Sequence, residues 1–134
     1  MIFVDTAFVI AWTNEDDMLH AKALELQNRF RSEEWLTTDC VLLEVGNSLA
    51  RSQRQLAIET IENLLTDERT TVVGLGADLF ARSFELFKNR DDKTWGLIDC
   101  VSFIVMAEFG VSSALTSDRH FVQAGFTALM LDNV

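Results

Sequence analysis

Four acidic residues stand out by their neighbours. Asp5 directly follows the apolar run Ile2–Val4, and Asp118 closes the segment Ala114–Leu115–Thr116–Ser117. Asp99 lies among Leu97, Ile98, Cys100, Val101 and Phe103, where an ionised carboxylate is costly unless it is paired, protonated or bound to a cation. Glu44 shares one helical face with Asn47 and Arg51, three and seven residues on. Each has an ordinary reading: Asp5 and Asp118 as helix caps, Asp99 as a first-turn dipole partner, Glu44 as a solvated face. Brought together, four carboxylates repel, and their pKa values rise until a cation arrives. Oxygen-only donors favour a hard divalent ion, Mg²⁺ or Mn²⁺, over zinc, for which no His/Cys set is present.

Whether they meet depends on the elements that carry them. Ile2–Val4 is too short for a helix and reads as a strand buried on both faces. Trp35–Thr38, Thr71–Val73, Ser113–Thr116 and Ala128–Leu131 read as further strands. Helical patterns lie between them. Leu19, Ala23, Leu26 and Phe30 step along one face, and Leu42, Val45 and Leu49 mark a helix from an Asp39 cap to about Ser52. Ala57, Ile61, Leu64 and Leu65 point a further helix inward. The stripe Phe80–Phe84–Phe87 reads as core packing, and Leu97–Phe109 is apolar nearly all round, as a central helix is. Alternating strands and helices imply a parallel sheet with right-handed crossovers. In such sheets the ligand site lies beyond the carboxyl ends of the strands, where strand order reverses. Strand-ending Asp5 and Asp118 fall there if their strands are neighbours.

The chain has 134 residues, 49% of them hydrophobic, 24% charged, none of them proline, which is the composition of one globular domain. With 11 Lys and Arg against 21 Asp and Glu, the net charge of −10 excludes a protein that coats nucleic acid or anionic membrane by bulk attraction. Cys40 and Cys100 lack metal-ligand or disulfide-framework spacing and read as reduced, buried thiols, as in a cytoplasmic protein. There is no basic leader segment and no run of about 18 apolar residues, so neither a secretory signal nor a membrane span is expected. Neither histidine belongs to a nucleophile motif. His20 reads as a surface or rim residue of a helix, His120 as a packing residue beside Phe121.

Three segments carry a resemblance to a known family: Thr38–Arg51 (TDCVLLEVGNSLAR), Asp92–Met106 (DKTWGLIDCVSFIVM) and Ala114–Phe126 (ALTSDRHFVQAGF). With the first strand and its Asp5, they resemble the PIN-domain nucleases, and most of all the VapC-type toxin ribonucleases and their stand-alone relatives. The likeness spans residues 1–134 as a single PIN-like domain. It implies a three-layer α/β/α fold around a five-stranded parallel sheet of order 3-2-1-4-5. It also implies a metal-dependent endoribonuclease using Mg²⁺ or Mn²⁺, with Asp5, Glu44, Asp99 and Asp118 as the acidic set. Thr6, Asn47, Asp92 and Thr116 would support them. An RNA substrate, an antitoxin partner and a homodimer follow from the same resemblance. Where many relatives read W-S-L-T-D, this chain has Trp95–Gly96–Leu97–Ile98–Asp99, lacking two hydroxyls but no candidate ligand.

Two competing readings use the same features. A receiver-type signalling domain would need paired acids after the first strand, an Asp ending the third and a Lys ending the fifth, none of which is present. A PIN-like scaffold without turnover accommodates the net acidity, yet has no reason to keep four carboxylates that repel one another.

Overall fold

Strand β1 (Ile2–Val4) is buried at every residue, because it lies between two neighbours and under helices on both faces. The computed structural model describes residues 1–131. After β1 come helices α1 (Thr6–Thr13) and α2 (His20–Arg29), then β2 (Trp35–Thr38), α3 (Asp39–Leu49) and α4 (Arg54–Thr66). The chain continues through β3 (Thr70–Val73), α5 (Ala77–Asn89), α6 (Leu97–Glu108), β4 (Ser113–Leu115), α7 (Arg119–Gln123) and β5 (Thr127–Ala128). The five strands form one parallel sheet of order β3-β2-β1-β4-β5, as the family resemblance implies. Strand order therefore reverses between β1 and β4, with Phe3 opposite Ala114 and Val4 opposite Leu115. This is the crevice where open α/β sheets bind ligands.

Packing on one side of the crevice fixes α6 and α7. Phe121 of α7 is fully buried, with its ring 5.0 Å from Phe103 of α6 and 6.1 Å from Phe3 of β1. Trp95 packs edge-on against Phe103 at 5.0 Å and donates its indole N–H to Gln123 at 3.0 Å. These aromatic contacts hold the amino ends of α6 and α7 beside the end of β1. Helix α6 is central, as its composition predicts, with Cys100, Val101, Phe103, Val105 and Met106 buried.

Five details differ from the sequence reading. The cap of α3 is Thr38, whose hydroxyl accepts the Val41 N–H at 3.2 Å. Asp39 is the first helical residue and accepts the Leu75 N–H, tying down the segment after β3. Helix α3 stops at Leu49, so Arg51 does not share its face with Glu44. The last strand is Thr127–Ala128 and does not extend to Leu131: a turn closed by Leu131 N–H to the Ala128 carbonyl at 3.0 Å bends the chain away. Finally, Phe80, Phe84 and Phe87 are not core residues. Each is more than 40% exposed, because α5 buries its Leu79–Ser83 side. Leu64 is buried, while Ile58 and Leu65 of the same helix are exposed.

Candidate metal centre

The end of β1 delivers Asp5 into the crevice. Asp5 occupies the cap position of α1, yet its carboxylate makes no capping hydrogen bond there. Instead its Oδ2 accepts the Thr116 hydroxyl at 2.7 Å, across the gap between β1 and the end of β4. The same hydroxyl oxygen accepts the Asp118 N–H at 3.1 Å. Thr116 is fully buried, so one hydroxyl sets the distance between two carboxyl-bearing segments. Beside Asp5, the Thr6 hydroxyl donates to Glu44 Oε1 at 2.6 Å and brings α3 to the site.

Asp99 and Asp118 arrive from the other side. Asp99 lies in the first turn of α6, and its Oδ2 accepts the Gly96 N–H at 3.0 Å. Asp118 caps α7 by accepting the His120 N–H at 2.9 Å. For these two the ordinary capping readings are true, and each side chain still faces the crevice. The N-terminal ends of α1 and α6 point at the acids and offset part of their charge.

His120 is the residue the sequence reading missed. Its Nδ1 lies 3.0 Å from Asp99 Oδ2 and 3.4 Å from Asp118 Oδ1, and its Nε2 lies 3.2 Å from the Thr94 hydroxyl. Carboxylates only accept, so Nδ1 carries a hydrogen in this bridge. Ligating atoms of Asp99, Asp118 and His120 all lie within 4.8 Å of one another, a span one metal ion can bridge. The signal was present in the spacing: a histidine two residues after a capping Asp is returned over that cap by the first turn of the helix.

Electrostatics favour a cation. Burial pushes the Asp5 carboxyl up from 3.8 to about 6; the Thr116 hydrogen bond offsets part of this, and the charges of Asp99 and Glu44 add to it. Among the described residues no Lys or Arg forms an ion pair with Asp5, Glu44, Asp99 or Asp118. Arg29, Lys88 and Arg90 are instead engaged by Glu25, Glu85 and Asp92. Asp92, expected as a supporting acid, is exposed and held by Arg90 at 3.0 Å, and Asn47 is exposed on α3 without a side-chain partner among the described residues. Thr6 and Thr116 do contact the acids they were expected to support. His20, read as a rim residue, is half-buried and bonds through Nδ1 to the Ala11 carbonyl at 2.7 Å, away from the acids.

Comparison with known proteins places this geometry. The PIN domain profile matches residues 2–127. The 23S rRNA-specific endonuclease VapC20 of Mycobacterium tuberculosis, from two strains, is 30% identical over 126 residues, covering 94% of this chain and 95% of the relative. The crystal structure of M. tuberculosis VapC20, described as a sarcin-ricin loop cleaving toxin, superposes with a TM-score of 0.83 at 27% identity. That superposition covers 95% of this chain and 97% of the other.

Proposed function

The chain belongs to the PIN domain family as a VapC-like nuclease, and from that premise we propose that it is a divalent-metal-dependent endoribonuclease acting as the toxin of a toxin–antitoxin pair. The observation that carries the reading is the clustering of Asp99 and Asp118 at the β1/β4 switch point, with Asp5 feeling the charges of Asp99 and Glu44 and, among the described residues, no Lys or Arg ion-paired with any of the four. Their donor set fits Mg²⁺ or Mn²⁺, and the buried Asp5, protonated more readily than an ordinary carboxyl, is a group such an ion would return to its charged form. When bound, the metal lowers the pKa of water and stabilises charge on the scissile phosphate.

The chain's own residues do the rest. Asp99, Asp118 and His120 form the tightest group and would hold the ion. Asp5 joins them under the control of Thr116, which fixes its orientation. Glu44, steadied by Thr6, would hold a second ion or orient the attacking water.

The net charge of −10 makes general RNA binding weak, which favours a defined loop over any RNA chain. By analogy with VapC20, the substrate is a structured ribosomal RNA loop. The exposed apolar side chains Phe80, Phe84 and Phe87 on α5 and Ile58 and Leu65 on α4 support a homodimer, and the net acidity suits the docking of a basic antitoxin. Free, buried Cys40 and Cys100 support a cytoplasmic location; among the described residues no helix is long and apolar enough to cross a membrane.

The test is cleavage of a sarcin-ricin loop hairpin and an unstructured RNA by the purified protein, with Mg²⁺ or Mn²⁺ and with chelator, beside Asp99→Asn. Metal-dependent cleavage of the hairpin, lost in the variant, is the expected result. No cleavage of either RNA in any metal would overturn the reading in favour of a binding module.

A further inference from the structure

A cavity of about 330 Å³ opens at the amino-terminal edge of the sheet, the end opposite the acids. Trp35, the first residue of β2, forms its floor with Leu64 of α4, and Trp12 of α1 forms a wall. The two indoles meet edge to face at 5.1 Å, and Phe8 stacks behind Trp12 at 6.1 Å, so the aromatic walls are held rigidly. The volume lies in the range of small-molecule sites.

The polar groups around it are unevenly committed. The carboxylates are engaged: Glu33 receives the terminal ammonium of Met1 at 3.0 Å, and Asp67 receives the Thr70 hydroxyl at 2.7 Å and the Arg69 N–H at 3.2 Å. Arg69 itself is engaged by the carbonyls of Arg31 and Ser32. The donors are free. Neither indole N–H nor the Arg31 guanidinium has a hydrogen-bond partner among the described residues, and both indoles and Arg31 line the cavity. With Glu33 paired to the terminal ammonium, the guanidiniums of Arg31 and Arg69 face one carboxylate, Asp67, while the amides of Gln27 and Asn63 offer both donors and acceptors. This lining suits a flat, acceptor-rich, anionic molecule: the Trp12 face to stack on, N–H groups for ring nitrogens and carbonyls, a guanidinium for a phosphate.

We propose that this cavity binds a nucleobase with its phosphate, stacked on Trp12 with its edge toward Trp35 and held by Arg31. The base comes from a free nucleotide or from an unstacked residue of an RNA. The site stands apart from the acidic cluster and is tested without cleavage, so its failure leaves the nuclease reading untouched.

Two of the chain's three tryptophans line the cavity, so their fluorescence reports occupancy. The full chain in chelator is titrated with AMP, GMP, CMP and UMP, with inorganic phosphate, and with a short single-stranded RNA. Saturable quenching by at least one nucleotide or by the RNA is expected. Arg31→Ala weakens it at least tenfold, and Trp12→Leu removes it. Arg31 is exposed, and its bonded group is the backbone carbonyl that the variant retains, so the variant folds. Binding of nucleotide and RNA with equal affinity identifies a free-nucleotide site; RNA binding at least tenfold tighter identifies a base of the substrate. The proposal is overturned if nothing saturates, if inorganic phosphate alone gives the same response, or if Arg31→Ala binds as the wild type does.

Discussion

Thr116 donates its hydroxyl to Asp5 Oδ2 at 2.7 Å, across a sequence separation of 111 residues. Because the same oxygen accepts the Asp118 N–H, a single buried side chain couples the acid of β1 to the acid after β4. Thr116→Val keeps the shape and strands both partners, at a cost of about 1–3 kcal/mol. Cleavage should fall roughly 10- to 100-fold, the usual consequence of losing a group that orients a ligand. Thr116→Ser should restore it. Thermal melts beside rate measurements separate the two effects; unchanged rates in Thr116→Val would remove Thr116 from this role.

Asp5 makes the metal-free protein sensitive to pH. Its folded pKa, about 6, lies above the 3.8 of the free side chain, so the folded state binds the extra proton between those values. Stability therefore falls as pH rises from about 4 to 6, and the full penalty, about 3 kcal/mol, is present above that window. Asp5→Asn should be more stable than wild type at pH 7, with a flatter pH profile, and should not cleave RNA. Denaturant melts from pH 4 to 8 in chelator check this, and a variant less stable than wild type at pH 7 contradicts it.

His120 adds a nitrogen donor to an oxygen site, which biases it toward Mn²⁺ over Mg²⁺. His120→Gln should lose roughly tenfold in Mn²⁺ affinity and much less for Mg²⁺ by calorimetry. Nitrogen coupling in the electron spin resonance of bound Mn²⁺ should vanish with it. Absence of that coupling in the wild type would leave His120 as a hydrogen-bond partner only.

The glycine at position 96 is not required by space. A Cβ there would meet Asp99 Oδ2 at 3.7 Å, an ordinary contact, and the backbone (φ −76°) suits any residue. Gly96→Ser should cap α6 and add a few tenths of a kcal/mol, with cleavage essentially unchanged. A large loss of activity would show that the serine hydroxyl of related sequences competes for Asp99.

Phe84 is 42% exposed and tilts against Phe80 at 6.1 Å. If the proposed homodimer forms through this face, Phe84→Asp should yield a monomer in light scattering while leaving the melting temperature of the dilute protein nearly unchanged. A monomeric wild type would rule the dimer out.

The parallel α/β class was legible because short apolar runs mark buried strands, and Asp5 and Asp118 drew notice as charges where such runs end; the strand order itself came only with the family resemblance. What escaped was set by contacts the local pattern does not encode. The phenylalanine stripe of α5 has ideal core spacing, and only the placement of α5 on α6 turns it outward. His120 looked like a neighbour of Phe121, and burying Phe121 against Phe103 is what swings the imidazole over Asp99. Asp92 looked like part of the third segment's acidity, but Arg90, two residues away, claims it.

Strand β1 is made first and enclosed last. Its two neighbours are β2 and β4, and β4 begins only at Ser113. A chain still under synthesis that has not reached Ser113 therefore carries one bare edge of its central strand and lacks Asp118 and His120 altogether. Closing that edge also seats Thr116 on Asp5. Enclosure of the sheet and the approach of these carboxylates are thus one event, which a chain truncated before Ser113 cannot complete.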